Sequence, residues 1–326
     1  MPEHPQSSPA PRFAAIDAAR GGALLAMATY HAVWDLGYLR LSPENYALTL
    51  PGRTAAHLIA GAFLVLVGIG LVLMNGRGLR MRPTLARFVR IGGAAALITA
   101  ATYLIFPDSF IFFGVLHCIA VSSVLALPFL FAPLGLAALA AALVIAAPHV
   151  VAYPVLDAPA LSFLGLGAGV PRTNDYVPLF PWFGIVLAGL VLGRLSLPTL
   201  ARSRLGAWRP ASRPARAAAF AGRHSLLVYL VHQPVLLVLL TGLLMLAGPS
   251  PRAGLGSFMA EYGQNCTRTG GERSACRVAA RCTANALRRE TLWALAGRDF
   301  TPAERLRAQS LSQACYEAAE GTAPPP

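Results

Sequence analysis

Residues 223–247 read RHSLLVYLVHQPVLLVLLTGLLMLA. An apolar run of this length fits a hydrocarbon layer of about 30 Å, and polar side chains inside such a run are costly and tend to be functional. Two histidines, a serine, a tyrosine and a glutamine sit in its first half. At 100° per residue Ser225, Tyr229 and His232 fall within one narrow arc. That face must turn toward protein or water, because lipid cannot satisfy it. Pro234 removes a backbone donor and leaves the carbonyl of Leu230 without its helical partner, which favours a kink.

The rest of the chain has the same character. With 56% hydrophobic residues, 13% charged residues and a mean hydropathy of +0.56, it is too apolar for an ordinary soluble domain. Seven runs are long enough to cross a bilayer: 20–39, 54–74, 90–106, 110–132, 134–152, 179–196 and 224–247. The expected fold is all-α, a polytopic membrane bundle of about seven transmembrane helices. Residues 1–11 are rich in proline and serine and read as a disordered N-terminus. The first apolar run has no small-residue cleavage site after it and is expected to stay as a signal anchor. Residues 12–248 form the membrane domain and 249–326 a polar tail.

All 27 basic residues are arginine, which excludes a lysine Schiff base, a P-loop lysine and an acyl-lysine intermediate. The net charge of +13 does not signal nucleic acid, because of where it lies. Arg77, Arg80, Arg82, Arg87 and Arg90 lie between the second and third runs. Arg194, Arg202, Arg204, Arg209, Arg213, Arg216 and Arg223 lie between the sixth and seventh. Connections on the other side carry few positive charges, Arg40, Arg53 and Arg172. By the positive-inside rule the N-terminus is cytoplasmic and the end of the seventh run is outside.

Cys266, Cys276, Cys282 and Cys315 all fall in the tail, which this topology places in an oxidising compartment, where an even set of cysteines reads as two disulfides. Segments 273–296 and 302–319 have helical character, so the tail is expected to be a small stapled helical hairpin. On one helix Cys276 and Cys282 would point about 240° apart and could not bond each other. That leaves 266–276 with 282–315, or 266–282 with 276–315. Cys118 reads as a buried structural thiol.

Counting along each span sorts the other polar residues into two layers. His31, Asp35, His57 and His117 fall in the outer part, and Arg172, Asp175 and Tyr176 lead into the sixth span from outside. His31 and Asp35, four residues apart, share a helix face. Asp17, Arg20, His224, His232 and Gln233 fall in the inner part. For any one of these histidines taken alone, packing is the simpler reading; several at matching depths argue for chemistry. No metal is expected, since no H-x-x-x-H or H-E-x-x-H pair occurs on one helix. Gly165, Gly167 and Gly169 read as loop rather than phosphate cradle.

Four stretches carry a resemblance: RFAAIDAARGGALLAMATYHAVWDL (12–36), FFGVLHCIAVSSVLA (112–126), NDYVPLFPWFGIVLAGLVLGRL (174–195) and GRHSLLVYLVHQPVL (222–236). Together, in this order, they resemble bacterial members of the heparan-α-glucosaminide N-acetyltransferase catalytic-domain family. The resemblance implies a multi-pass acyltransferase of the bacterial cytoplasmic (inner) membrane. Acetyl-CoA would be the donor substrate, supplied from the cytosol, and the acceptor an amine or hydroxyl of an extracytoplasmic sugar. On that reading Arg20, Arg223, His224 and His232 belong to the donor side, and Arg172, Asp175 and Tyr176 to the acceptor side. The catalytic candidates are His31 with Asp35, then His57 and His117. His31 and His57 bracket the connection in which lysosomal members carry their histidine. The partners implied are lipid and a saccharide, and an oligomer is compatible with the sequence. An O-acyltransferase resembling the acyltransferase-3 group, and a non-enzymatic membrane protein that relays protons or binds a partner, are the competing readings.

Overall fold

The computed structural model describes residues 13–76, 78–294 and 300–320. The expectation for residues 1–11 lies outside them. Among the described residues every regular element is helical. In order, the α-helices are α1 (Ala14–Tyr38), α2 (Leu50–Asn75), α3 (Met81–Ile105), α4 (Val115–Leu125), α5 (Leu134–Val150), α6 (Leu179–Arg202), α7 (Arg204–Ala207), α8 (Arg213–Arg223), α9 (Ser225–Ala247), α10 (Leu255–Arg268), α11 (Arg273–Arg289) and α12 (Pro302–Glu320). Helices α2, α3, α6 and α9 are both long and apolar enough to cross a membrane. Helix α1 has the length, 25 residues, but carries Asp17, Arg20 and Asp35.

The run 110–132 is not one helix. Helix α4 has 11 residues, about 17 Å at 1.5 Å per residue, and residues 110–114 before it are extended or bent. His117 is therefore in the first turn of α4, not eight residues into a span. Helix α3 starts nine residues before the expected run, so Arg82, Arg87 and Arg90 are helical, and Arg194 lies within α6 rather than in a loop. Helix α8 was not anticipated; Ser212 caps it by accepting from Ala215 N, and its alanine-rich sequence RPARAAAFAGR suits a helix.

The chain divides into two compact units, residues 1–28 with 54–232 and residues 29–53 with 233–326. In the first, Leu64, Val67 and Leu71 of α2 pack with Leu116 and Ile119 of α4, Ala137 and Ala141 of α5, and Phe183, Val186, Leu187 and Leu190 of α6. Small residues let these backbones approach closely. A Cβ on Gly68 would collide with the carbonyl of Val186, one on Gly189 with that of Val65, and one on Gly184 would sit 2.8 Å from the carbonyl of Ala141. Buried Asn75 closes the α2–α3 turn: Nδ2 donates to Leu71 O (3.3 Å), while Oδ1 accepts from Arg80 N (3.0 Å) and Thr84 Oγ1 (3.2 Å). Arg194 donates to Phe129 O (3.2 Å) and Ala132 O (2.6 Å), satisfying carbonyls in the connection from α4 to α5.

In the second unit the residues after α1 tie to the start of the tail. Ser250 N donates to Arg40 O and Gly254 N to Pro43 O, both at 2.8 Å, and Gly256 N donates to the Glu44 carboxylate. The tail holds three helices, α10 to α12, where a two-helix hairpin was expected. Helix α11 buries an alanine face, Ala275, Ala279, Ala280 and Ala284, and Glu272 caps its N-terminus by accepting from Ser274 N and Ala275 N. Cys266 bonds Cys276, and Cys282 bonds Cys315, one of the two pairings left open by helix geometry.

Candidate functional site

In the first unit, residues 173–177 lie along residues 109–113. Asn174 N donates to Ser109 O, Val177 N to Phe113 O, and Thr173 Oγ1 to Phe110 O. This brings Asp175 to the N-terminus of α4, where Oδ2 accepts from Val115 N at 2.9 Å. The position suits a carboxylate because the first amides of a helix lack intrahelical acceptors. A Cβ on Gly114 would collide with that carboxylate, so glycine is what lets Asp175 in. Burial pushes the Asp175 carboxyl up to about 6, and the Val115 N–H opposes the rise.

His117 completes the same helix start. Its Nδ1 accepts from Gly114 N at 3.2 Å, and its Nε2 lies 3.0 Å from Thr99 Oγ1. The Thr99 hydroxyl donates to Ile111 O at 2.7 Å, so it can only accept from the histidine. The ring is consequently the neutral Nε2–H tautomer, and both nitrogens hold backbone and side chain in place. His57, on an exposed position of α2, stacks on Trp182 of α6, with centroids 5.7 Å apart and planes at 15°.

The loop between α5 and α6 forms an open pocket of about 290 Å³ lined by Asp157, Ser162, Gly167, Gly169 and Tyr176, among others. Tyr176 OH donates to Ser162 O at 2.6 Å, and Asp157 Oδ1 accepts from Gly169 N at 3.0 Å. Burial raises the Tyr176 phenol above its ordinary value, and Asp157 adds to the rise. The glycine stretch is thus an ordered wall. Of the expected acceptor-side residues, Tyr176 lines this cavity, Asp175 caps α4, and Arg172 is exposed.

At the other end of the unit, Arg20 NH1 pairs with Asp17 Oδ1 at 3.3 Å. A Cβ on Gly70 would lie 2.8 Å from Arg20 NH2 and 3.6 Å from Arg87 NH1, so two guanidiniums converge over this glycine. For Arg87, read with its neighbours as a topological charge with a hold on coenzyme phosphates as the alternative, the structure gives a place on α3, which the helical period of MRPTLARFVR signals. The last turn of α8 sits on α1, where a Cβ on Gly222 would collide with the carbonyl of Asp17 and one on Gly21 with that of Ala218. Arg223 ends α8 and is exposed, and His224 breaks the chain before α9, its Nδ1 3.0 Å from Phe220 O. In α9, His232 Nδ1 donates to Tyr229 O at 2.7 Å, and the Tyr229 and His232 rings lie 5.7 Å apart, as their shared arc requires.

The second unit holds His31, Asp35 and Gln233. Asp35 is fully buried, and its Oδ1 accepts from Gln233 Nε2 at 2.8 Å. Its other oxygen has no hydrogen-bond partner among the described residues, so Asp35 does not orient His31 through a hydrogen bond. The bond joins Gln233, read as inner, to Asp35, read as outer. Among the described residues no group of three or more His, Cys, Asp or Glu side chains is arranged to hold a metal ion.

A family model described as heparan-alpha-glucosaminide N-acetyltransferase, catalytic, matches residues 12–234. No curated protein and no solved structure matches the chain.

Proposed function

Because the chain belongs to the heparan-alpha-glucosaminide N-acetyltransferase catalytic family, we propose that it moves an acetyl group from cytosolic acetyl-CoA to an amine or hydroxyl of an extracytoplasmic sugar. The observation that carries this reading is the reach of the family match, which takes in α1 through α8 and ends just past Gln233. Every intrahelical histidine and carboxylate singled out above lies inside it.

His31 is the general base. As the acceptor nitrogen or oxygen attacks the thioester carbonyl, His31 takes the acceptor's proton. The carbon–sulfur bond then breaks and the coenzyme leaves as its thiol, taking the proton that His31 had accepted and returning the histidine to its neutral form. Asp35 stabilises the imidazolium electrostatically while Gln233 fixes the carboxylate. Arg20 and Arg87 provide paired positive charge for the coenzyme's phosphates, which guanidinium groups bind well. Arg223, His224 and His232 complete the donor side. Tyr176, Arg172 and Asp175 keep the acceptor-side assignment, on a segment of the first unit that borders a cavity of its own. His57, stacked on Trp182, is a second candidate for the acceptor side, whereas the two bonds of His117 assign it to positioning.

The orientation is a cytoplasmic N-terminus, an extracytoplasmic tail and the bacterial inner membrane as location. Arg194, about 22 Å along α6 from Leu179 at the helical rise, holds the α4–α5 connection toward the arginine-rich end of α6. Residues 109–113 and 173–177 pair at the other end. These contacts support a reading in which α4 and α5 lead away from and back to the end where residues 109–113 and 173–177 pair.

The test uses inverted membrane vesicles with acetyl-labelled acetyl-CoA and sugar acceptors. Label transferred to saccharide, lost in His31→Ala and retained in His117→Gln, supports the reading. No transfer and no coenzyme binding refutes it, and transfer that survives His31→Ala moves the base elsewhere.

A further inference from the structure

The tail contains a second cavity, of about 580 Å³, that the acetyl-transfer reading does not use. It lies between one face of α10 and one face of α12. Tyr262, Asn265 and Thr269 stand at i, i+3 and i+7 on the first, running into the C-cap of α10. Gln309, Ser312, Gln313 and Tyr316 stand at i, i+3, i+4 and i+7 on the second. These spacings put each set on a single stripe facing its partner helix.

Helices that meet only to pack present small or apolar side chains on such stripes, as α11 does with Ala275, Ala279, Ala280 and Ala284. Here both stripes carry amides, hydroxyls and phenol rings, and no residue that lines the cavity is charged. Some of this polar capacity is already used: Ser312 Oγ donates to Tyr262 OH at 3.1 Å, Gln313 Nε2 to Glu317 Oε1 at 2.9 Å and Thr269 Oγ1 to backbone carbonyls, Asn265 Oδ1 accepts from Arg268 NH2 at 2.7 Å, and Tyr316 bonds Glu320. The Gln309 amide makes no hydrogen bond among the described residues, and Asn265, Gln309 and Gln313 are exposed. The floor is rigid, since Gly271 sits against the Cys266–Cys276 disulfide and a Cβ there would lie 2.8 Å or less from both sulfurs.

Phenol rings offer flat amphipathic surface, amides and hydroxyls offer directional donors and acceptors, and the volume falls in the usual range for small-molecule sites. The lining residues carry no charge of their own, so what they offer a ligand directly is neutral hydrogen bonds and ring faces. We propose that the tail is a binding module for a neutral oligosaccharide, held between α10 and α12. That the bound sugar is also the acetyl acceptor rests on the function proposed above; the binding itself does not.

The test is titration of the full-length protein, in a detergent without a sugar headgroup and without acetyl-CoA. The probes are N-acetylglucosamine, maltose and dextran oligomers, with oligogalacturonate as the acidic control. Saturable binding of a neutral series is expected. It should be unchanged at about 0.5 M salt, as befits an uncharged contact, and weakened about tenfold or more when Asn265, Gln309 and Gln313 are all replaced by alanine, three lost hydrogen bonds being ample for that. Gln309→Glu with Gln313→Glu keeps the volume and adds charge, and should give the same loss with both disulfides intact. No saturable binding up to about 10 mM, binding indifferent to both variants, or salt-sensitive binding of the acidic oligomer alone would overturn the proposal. Acetyl transfer is read separately, so either conclusion can fail without the other.

Discussion

Replacing Asp175 by asparagine separates its charge from its hydrogen bond. In the native chain Oδ2 accepts from Val115 N, and burial raises the carboxyl from 3.8 to about 6. An acid whose folded pKa exceeds its unfolded value binds more protons when folded. Stability is thus greatest below about pH 4, falls through the window from about 4 to about 6, and levels off roughly 3 kcal/mol lower. About 2 kcal/mol of that change lies between pH 4.5 and 7.5. Asparagine keeps an acceptor for Val115 N and does not titrate, whereas alanine also loses the cap, for about 1 kcal/mol more at either pH. Unfolding of the native, Asp175→Asn and Asp175→Ala proteins in detergent at the two pH values checks this. The asparagine variant should gain about 2 kcal/mol on the native protein as pH rises, and alanine should stay below asparagine throughout. A native-to-asparagine difference that does not change with pH would refute the reasoning.

Other outcomes follow from single contacts. Gln233→Leu removes the donor to buried Asp35 and should destabilise the protein by about 1–3 kcal/mol, with a fall in acetyl transfer; Asp35→Asn, which can still accept from Gln233, should cost less stability, and equal losses would count against the contact. Gly189→Val drives a side chain into α2, since a Cβ there already sits 2.7 Å from Val65 Cα; a loss of at least 1–3 kcal/mol is expected, while Gly61→Ala, with nothing within 4 Å of its Cβ, should be near neutral in the same melt. Cys282–Cys315 closes a separation of 33 residues, for which chain entropy gives about 3–4 kcal/mol; replacing both cysteines by alanine should expose the tail to limited proteolysis while residues 54–232 stay protected.

The long apolar helices were legible because length and hydropathy are local properties: α2, α6 and α9 fall where their runs predict. Helix α4 was not, because FFGV continues the apolar run and only Gly114 hints at a break. What ends the helix there is pairing with residues 173–177, some sixty residues away, to which no local pattern points. Polar residues buried in helices could be read as special, but their partners could not. Asp35 turns to Gln233, nearly two hundred residues later, instead of to His31 one turn away. His117 was visible as an intramembrane histidine, yet its bonds to Gly114 N and Thr99 depend on a helix start the sequence hides. In the tail, helix geometry narrowed the disulfides to two pairings, and α10, which carries Cys266, was missed because its polar face resembles loop composition.

Asn75 bears on how the membrane part is made. Its side chain reaches back to Leu71 and forward to Arg80 and Thr84, so it is satisfied only once the first turn of α3 exists. Without those partners the buried amide would be left unsatisfied, at about 1–3 kcal/mol. One side chain thus joins the last turn of α2 to the first turn of α3, so that losing the Asn75 amide would loosen the end of one helix and the start of the next together.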